Sequence, residues 1–133
     1  MQQINFDEAV EQVLAHDSRY AREAYFFVRE ALEFTQKLIR KENHGQVRHV
    51  TVTELLDGLR QYALTQFGPM TVTVFEEWGI RDCGDLGEIV FNGPFTKTEA
   101  DSRADFQNGY NFVDAFQKPF WSESRRLAET KSV

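Results

Sequence analysis

The sequence predicts a mainly α-helical fold: a compact single domain of five or six helices with a winged-helix-like core and room for a short β ribbon. Three observations lead there. Apolar residues recur at i, i+3 and i+4 along most of residues 6–92, the period of helices with one buried face. Residues suited to N-caps precede these runs, each with an acid three positions on: Asn5 with Glu8, Thr51 with Glu54 and Asp82 with Asp85. Glycine or Gly-Pro follows three of them, at Gly68-Pro69, Gly79 and Gly93-Pro94.

The elements follow in order. Asn5 and Glu8 form a reciprocal cap for a first helix carried by Phe6, Val10, Val13 and Leu14, ending near His16 or Asp17. Asp17 and Ser18 are candidate caps for a long second helix, about Tyr20 to Lys41. Ala24, Phe27, Ala31, Phe34 and Leu38 make its central stripe, with Val28, Leu32, Thr35 and Ile39 alongside. Tyr25 and Phe26 point away from the stripe's centre. They read either as the flank of a helix buried on two sides or as an exposed aromatic pair that docks a partner. "KENHGQVRH" (41–49) is a polar connection, and residues 37–49 hold four bases, Lys37, Arg40, Lys41 and Arg48, against one acid. His44 and His49 read as solvated, since two histidines five apart in a loop fall short of a metal site.

Thr51 and Glu54 open a helix from Val52 to Phe67, with Leu55, Leu56, Leu59, Tyr62, Ala63 and Phe67 on its core face. Gly68 stops it, and Pro69 starts the next helix at N1. That helix uses Met70, Val74, Phe75 and Trp78, although four β-branched residues, Thr71 to Val74, weaken its propensity. Gly79 ends it, with Ile80 as the apolar contact of a Schellman ending. Asp82 caps a third short helix whose Leu86, Ile89 and Val90 face inward. Gly87 within it costs about 1 kcal/mol relative to Ala and implies a close neighbouring helix. Beyond Pro94 the expectation is a loop or ribbon, then a short helix near Asn111–Gln117. Phe106, Tyr110, Phe112 and Phe116 would peg this strap onto the core, ligand stacking being the alternative. The ribbon would lie between Val47 and Thr51 or near residues 95–106. The domain is expected to span residues 1–121, with 122–133 a frayed, flexible tail.

The totals agree with one globular domain. Its 133 residues are 41% hydrophobic and 27% charged, enough to bury roughly two thirds of the unfolded surface. Twelve Phe, four Tyr and two Trp supply a ring-rich core. A net charge of −6 disfavours phosphate backbones and anionic lipid on average. The single cysteine, Cys83, excludes an internal disulfide and reads as structural. MQQINFDEAVEQ lacks the features of a signal peptide, and no apolar run nears the ~20 residues of a membrane span. A cytoplasmic protein with no membrane contact is expected.

Catalytic motifs are missing: there is no phosphate loop, paired cysteine, HExxH or GxSxG. Asp82, Asp85 and Glu88 share roughly one helix face and could hold a divalent metal or form an acid–base pair. Acids in a first turn are better read as partners of the helix dipole. Residues 51–92 carry the outline of a winged helix, but positions 69–92 hold five acids against one base, Arg81. Such a reading head is too negative for the major groove.

"DSRYAREAYFFVREAL", "TELLDGLRQYALTQFGPM", "FEEWGIRDCGDLGEIVFN" and "TKTEADSRADF…NFVDAF" resemble the Minf-type family of short, uncharacterised bacterial proteins, over about residues 6–120. The Tyr-x-x-x-Ala-Tyr-x-Phe-Val and Trp-Gly-Ile…Gly-Glu-Ile-Val-Phe-Asn patterns carry the likeness. It implies a cytoplasmic single-domain protein and transfers no activity or catalytic residue. The family continues after "EIVFN" with a further apolar turn, which this chain lacks; Phe95 is the candidate to cover Ile89 and Phe91 instead.

The functional expectation is a non-enzymatic protein–protein interaction or regulatory module without cofactor or metal. Tyr25 and Phe26 are its candidate partner-binding residues, with self-association among the outcomes. The alternative is a winged-helix-like nucleic-acid binder using Lys37, Arg40, Lys41 and Arg48.

Overall fold

The computed structural model describes residues 5–42, 44–45, 50–95 and 103–121. Six α-helices appear among them: α1 (Phe6–His16), α2 (Arg22–Glu42), α3 (Val52–Phe67), α4 (Thr71–Glu77), α5 (Cys83–Asn92) and α6 (Arg103–Gln107). A 3₁₀ turn (Gly68–Met70) joins α3 to α4, and a π turn (Val113–Gln117) runs into a 3₁₀ turn (Lys118–Phe120). No strand occurs among the described residues. Most of both stretches considered for a ribbon, like the tail at 122–133, lies outside them. The described part of the second stretch holds α6, where a loop or ribbon was expected.

Helix α2 packs along α3 and also meets α1 and α5. Thr35 is buried opposite Gly58, and its hydroxyl donates to the Ala31 carbonyl at 2.8 Å, so the α2–α3 contact leaves no orphan there. At the start of α1 the Asn5 side chain accepts the Glu8 N–H at 2.8 Å. At α3 both halves of the Thr51–Glu54 capping box form. Helix α2 begins two residues later than the spacing implied. Asp17 accepts the Arg19 N–H instead of capping the helix, and Tyr20 is drawn into the core ahead of the first turn.

The α3–α4 junction differs from expectation in one respect. Gly68 takes a φ of 53°, but the 3₁₀ turn that follows rotates Met70 outward, leaving it 55% exposed instead of in the core. Thr71 takes the inward position, fully buried, its hydroxyl donating to the Gly68 carbonyl at 2.7 Å. The Schellman ending of α4 is as the sequence indicates: Ile80 N–H donates to Phe75 O at 2.8 Å and Gly79 N–H to Glu76 O at 3.0 Å. Ile80 is buried and Gly79 has a φ of 89°.

Asp82 caps α5 by accepting the Asp85 N–H at 2.9 Å. The close neighbour that Gly87 implied is α6, whose Phe106 Cβ lies 2.7 Å from where an alanine methyl would stand. Phe91 meets Phe106 at a ring separation of 6.1 Å. Phe95 packs against the core, its ring 5.7 Å from Phe6 on α1. Phe106, Phe112 and Phe116 are buried pegs, and the Tyr110 hydroxyl donates to the Leu56 carbonyl at 2.6 Å.

The Gly79 corner gives a sharp test. An alanine methyl there would stand 2.4 Å from the Arg19 carbonyl oxygen, on a backbone with positive φ. Gly79→Ala is expected to lower stability by about 3 kcal/mol, read as a lower midpoint in urea with an unchanged slope. A loss within the error of the measurement would refute this account of the corner.

Candidate interaction surface

The acids of α5 are settled by their neighbours. Asp85 accepts the Tyr20 hydroxyl at 2.6 Å on one carboxylate oxygen and the Arg81 N–H at 2.8 Å on the other. Glu88 accepts from Arg19 at 3.3 Å and from Arg103 at 3.2 Å. Asp82 is occupied with the helix N-terminus. Each of the three carboxylates faces its own donors, and they do not converge. Among the described residues no trio of His, Cys, Asp or Glu is arranged to hold a metal.

Arg19 and Asp17 extend this web. The Arg19 guanidinium meets Asp17 at 2.8 Å, and Asp17 also accepts the Asn92 amide at 2.8 Å. The hydrogen bond from Arg19 holds the Asp17 carboxyl below its ordinary value of 3.8. Burial, and then Asp85, push the Tyr20 hydroxyl upward. Two arginines from distant segments thus do reach α5, but both are engaged by carboxylates, and Arg103 also lies 5.0 Å over the Phe91 ring. A cleft of about 480 Å³ opens beside the web, lined in part by Asp82, Cys83, Gln107 and Tyr110. Cys83 is buried with its thiol donating to the Tyr110 carbonyl at 3.4 Å, and burial pushes it up to about 11.

The aromatic pair of α2 divides. Tyr25 is fully buried, and α2 meets α1 and α5 as well as α3. It is therefore no docking residue. Among the described residues its hydroxyl has no hydrogen-bond partner. Phe26 is half-buried, its ring 5.1 Å from Phe6, and it lines a groove of about 350 Å³. Phe27 lies in the floor of that groove, 5.5 Å from both Phe67 and Trp78. Those two rings stand 5.7 Å apart at 79°, forming a corner. Glu23, Glu30, Arg22 and Gln66 make the rim.

Helix ends create this groove. Phe67 is the last residue of α3 and Trp78 the C-cap of α4, each followed by a glycine that turns the chain away. Neither ring is enclosed on all sides. Sequence reasoning placed both in the core and passed over Glu23 and Glu30; the signal available was the position of each ring directly before a stop. Lys37, Arg40 and Lys41 are exposed on the last turns of α2, where they also suit the helix dipole, and Arg48 lies outside the described residues. Among the described residues no helix is long and apolar enough to cross a membrane.

Comparison with protein-family models, curated proteins and solved structures returns no match.

Two measurements probe the web and the thiol. The Asp17 carboxyl is lower in the folded than in the unfolded chain, so its contribution is present above the unfolded value and lost as pH falls through the folded one. Asp17→Asn should lower stability at neutral pH and flatten the decline below about pH 4; an unchanged acid limb would count against the pairing. For Cys83, alkylation at pH 8 should run at least about a hundredfold slower in the native protein than in urea. Comparable rates would contradict its enclosure.

Proposed function

We propose that this chain is a non-enzymatic protein–protein interaction or regulatory module, and that its docking surface is the groove of Phe26, Phe27, Phe67 and Trp78. The ring corner carries this reading. Rings left half-open at two helix ends offer a large apolar contact area at low entropic cost, the kind of anchor pocket on which interfaces concentrate their binding energy. Elsewhere the reactive groups are engaged with each other: the α5 acids hold arginines, a tyrosine and backbone N–H groups, and Cys83 is enclosed.

The winged-helix-like succession of α3, α4 and α5 serves in this reading as a scaffold that presents Phe67 and Trp78. We also propose membership of the Minf-type family and a cytoplasmic setting, supported by the five pattern residues Tyr20, Ala24, Tyr25, Phe27 and Val28, all of which are core. Nucleic-acid binding through Lys37, Arg40, Lys41 and Arg48 is the competing proposal. It draws on the exposure of the first three, and steep weakening of a gel shift with salt is its signature.

A benzophenone amino acid in place of Gln66, on the groove rim, should cross-link to a polypeptide on illumination in cells. The adduct should be lost with Trp78→Ala and should not form from Gln36, an exposed α2 position outside the groove. A homodimer adduct would identify a second copy as the partner. Failure to form any protein adduct from Gln66, or equal yield from Gln36, overturns the proposal.

A further inference from the structure

We infer that the groove's occupant is a cationic side chain, arginine or lysine, carried by a basic segment of the partner polypeptide; this rests on the groove being the docking surface. Two independent features of its lining select such a guest. The first is the ring corner. Phe67 and Trp78 meet edge to face at 79°, and Phe27 is tilted by 34° and 47° to them, so aromatic surface of several orientations lines one small groove. An aromatic face presents the negative side of its quadrupole and attracts a cation held over it.

The second is the charge of the rim. Glu23 and Glu30 line the same groove from α2, about two turns apart. Glu30 accepts one hydrogen bond, from Tyr62 at 2.9 Å, and Glu23 has no side-chain hydrogen bond or ion pair among the described residues. Arg22, the cation on the rim among the described residues, has its guanidinium engaged by Glu11 of α1. An acidic or purely apolar segment would leave these two carboxylates repelled or desolvated without compensation. A long cationic side chain satisfies both requirements, its stem lying on the rings and its charge reaching the carboxylates. The volume of about 350 Å³ is at the small end of ligand pockets, the scale of one such side chain with its flanking backbone.

The full chain contains two tryptophans, Trp78 and Trp121, so two indole N–H signals report the outcome by NMR, assigned with a Trp121→Phe variant. The probe is an acetylated glycine-arginine repeat heptapeptide, compared with its citrulline counterpart, which keeps the shape and loses the charge. The arginine peptide should shift the Trp78 signal saturably and leave that of Trp121 in place. The citrulline peptide should bind at least about tenfold more weakly. The double variant Glu23→Gln, Glu30→Gln should lose most of the affinity and of its salt dependence, with an unchanged melting temperature. Equal binding of the citrulline peptide, or an arginine peptide that moves neither indole signal, overturns the cationic guest. If the Gln66 cross-link persists in that case, the docking surface stands and only the chemistry of its occupant falls. If the cross-link fails as well, both fall.

Discussion

Helix α4 is seven residues long and opens with four β-branched residues, so it has little intrinsic tendency to form. Tertiary packing must hold it, and that packing is the Phe75 ring. Phe75 is fully buried and lies within 5.4–5.7 Å of Phe27 on α2, Phe112 and Phe116. One side chain thereby joins the long helix, the short helix and the C-terminal strap. Burial of one such ring contributes about 2–3 kcal/mol, and each well-oriented ring pair adds about 0.5–1.5 kcal/mol. The position of α4 then decides where Trp78 stands, where the chain turns at Gly79 and where α5 begins.

The charge distribution follows from that placement. Turning at Gly79 brings α5 beside the segment between α1 and α2, and the Ala21 N–H closes the contact on the Trp78 carbonyl at 3.1 Å. Asp85 and Glu88 thus come within reach of Tyr20 and Arg19, and α6 adds Arg103. Carboxylates that look in sequence like an acidic head are in the fold the fastenings of three segments. The same pairing takes Arg19 and Arg103 out of service as phosphate ligands. Partly exposed pairs of this kind stabilise little individually; their effect is to fix register between elements that share few apolar contacts.

Helix limits were legible because they are written locally. A cap and the backbone it satisfies are three residues apart, as at Asn5, Thr51 and Asp82, and a Schellman ending spans six, as at Phe75–Ile80. The pegs Phe106, Phe112 and Phe116 were legible because apolar rings in a polar strap have nowhere else to go. Other features depended on distance. Tyr25 and Phe26 differ by 100° around α2, and periodicity locates the centre of the buried stripe without saying how many neighbours widen it; Tyr25 is buried and Phe26 is left half-open. The Asp17–Asn92 and Tyr20–Asp85 bonds join positions 75 and 65 residues apart, which no local pattern encodes. Met70 differs for a smaller reason: a three-residue 3₁₀ turn rotates the chain about 60° further than α-helix would, and Thr71 takes the core position in place of Met70.

At the proposed docking groove, helix stop signals and a half-open ring surface coincide. A glycine that stops a helix takes the following chain away from the last turn, and the residue just before it loses the cover that further turns would have provided. Phe67 before Gly68 and Trp78 before Gly79 are both in this position, and α2 brings Phe27 up beneath them. The rings are therefore fixed by the fold twice over, as core members on one face and as walls on the other. Glu23 and Glu30 carry no such double duty: they lie on the exposed side of α2, and the sole side-chain bond between them is the one to Tyr62. On the proposed reading, the rim carboxylates set the charge a partner meets, while the corner rings belong to the core and to the contact surface together.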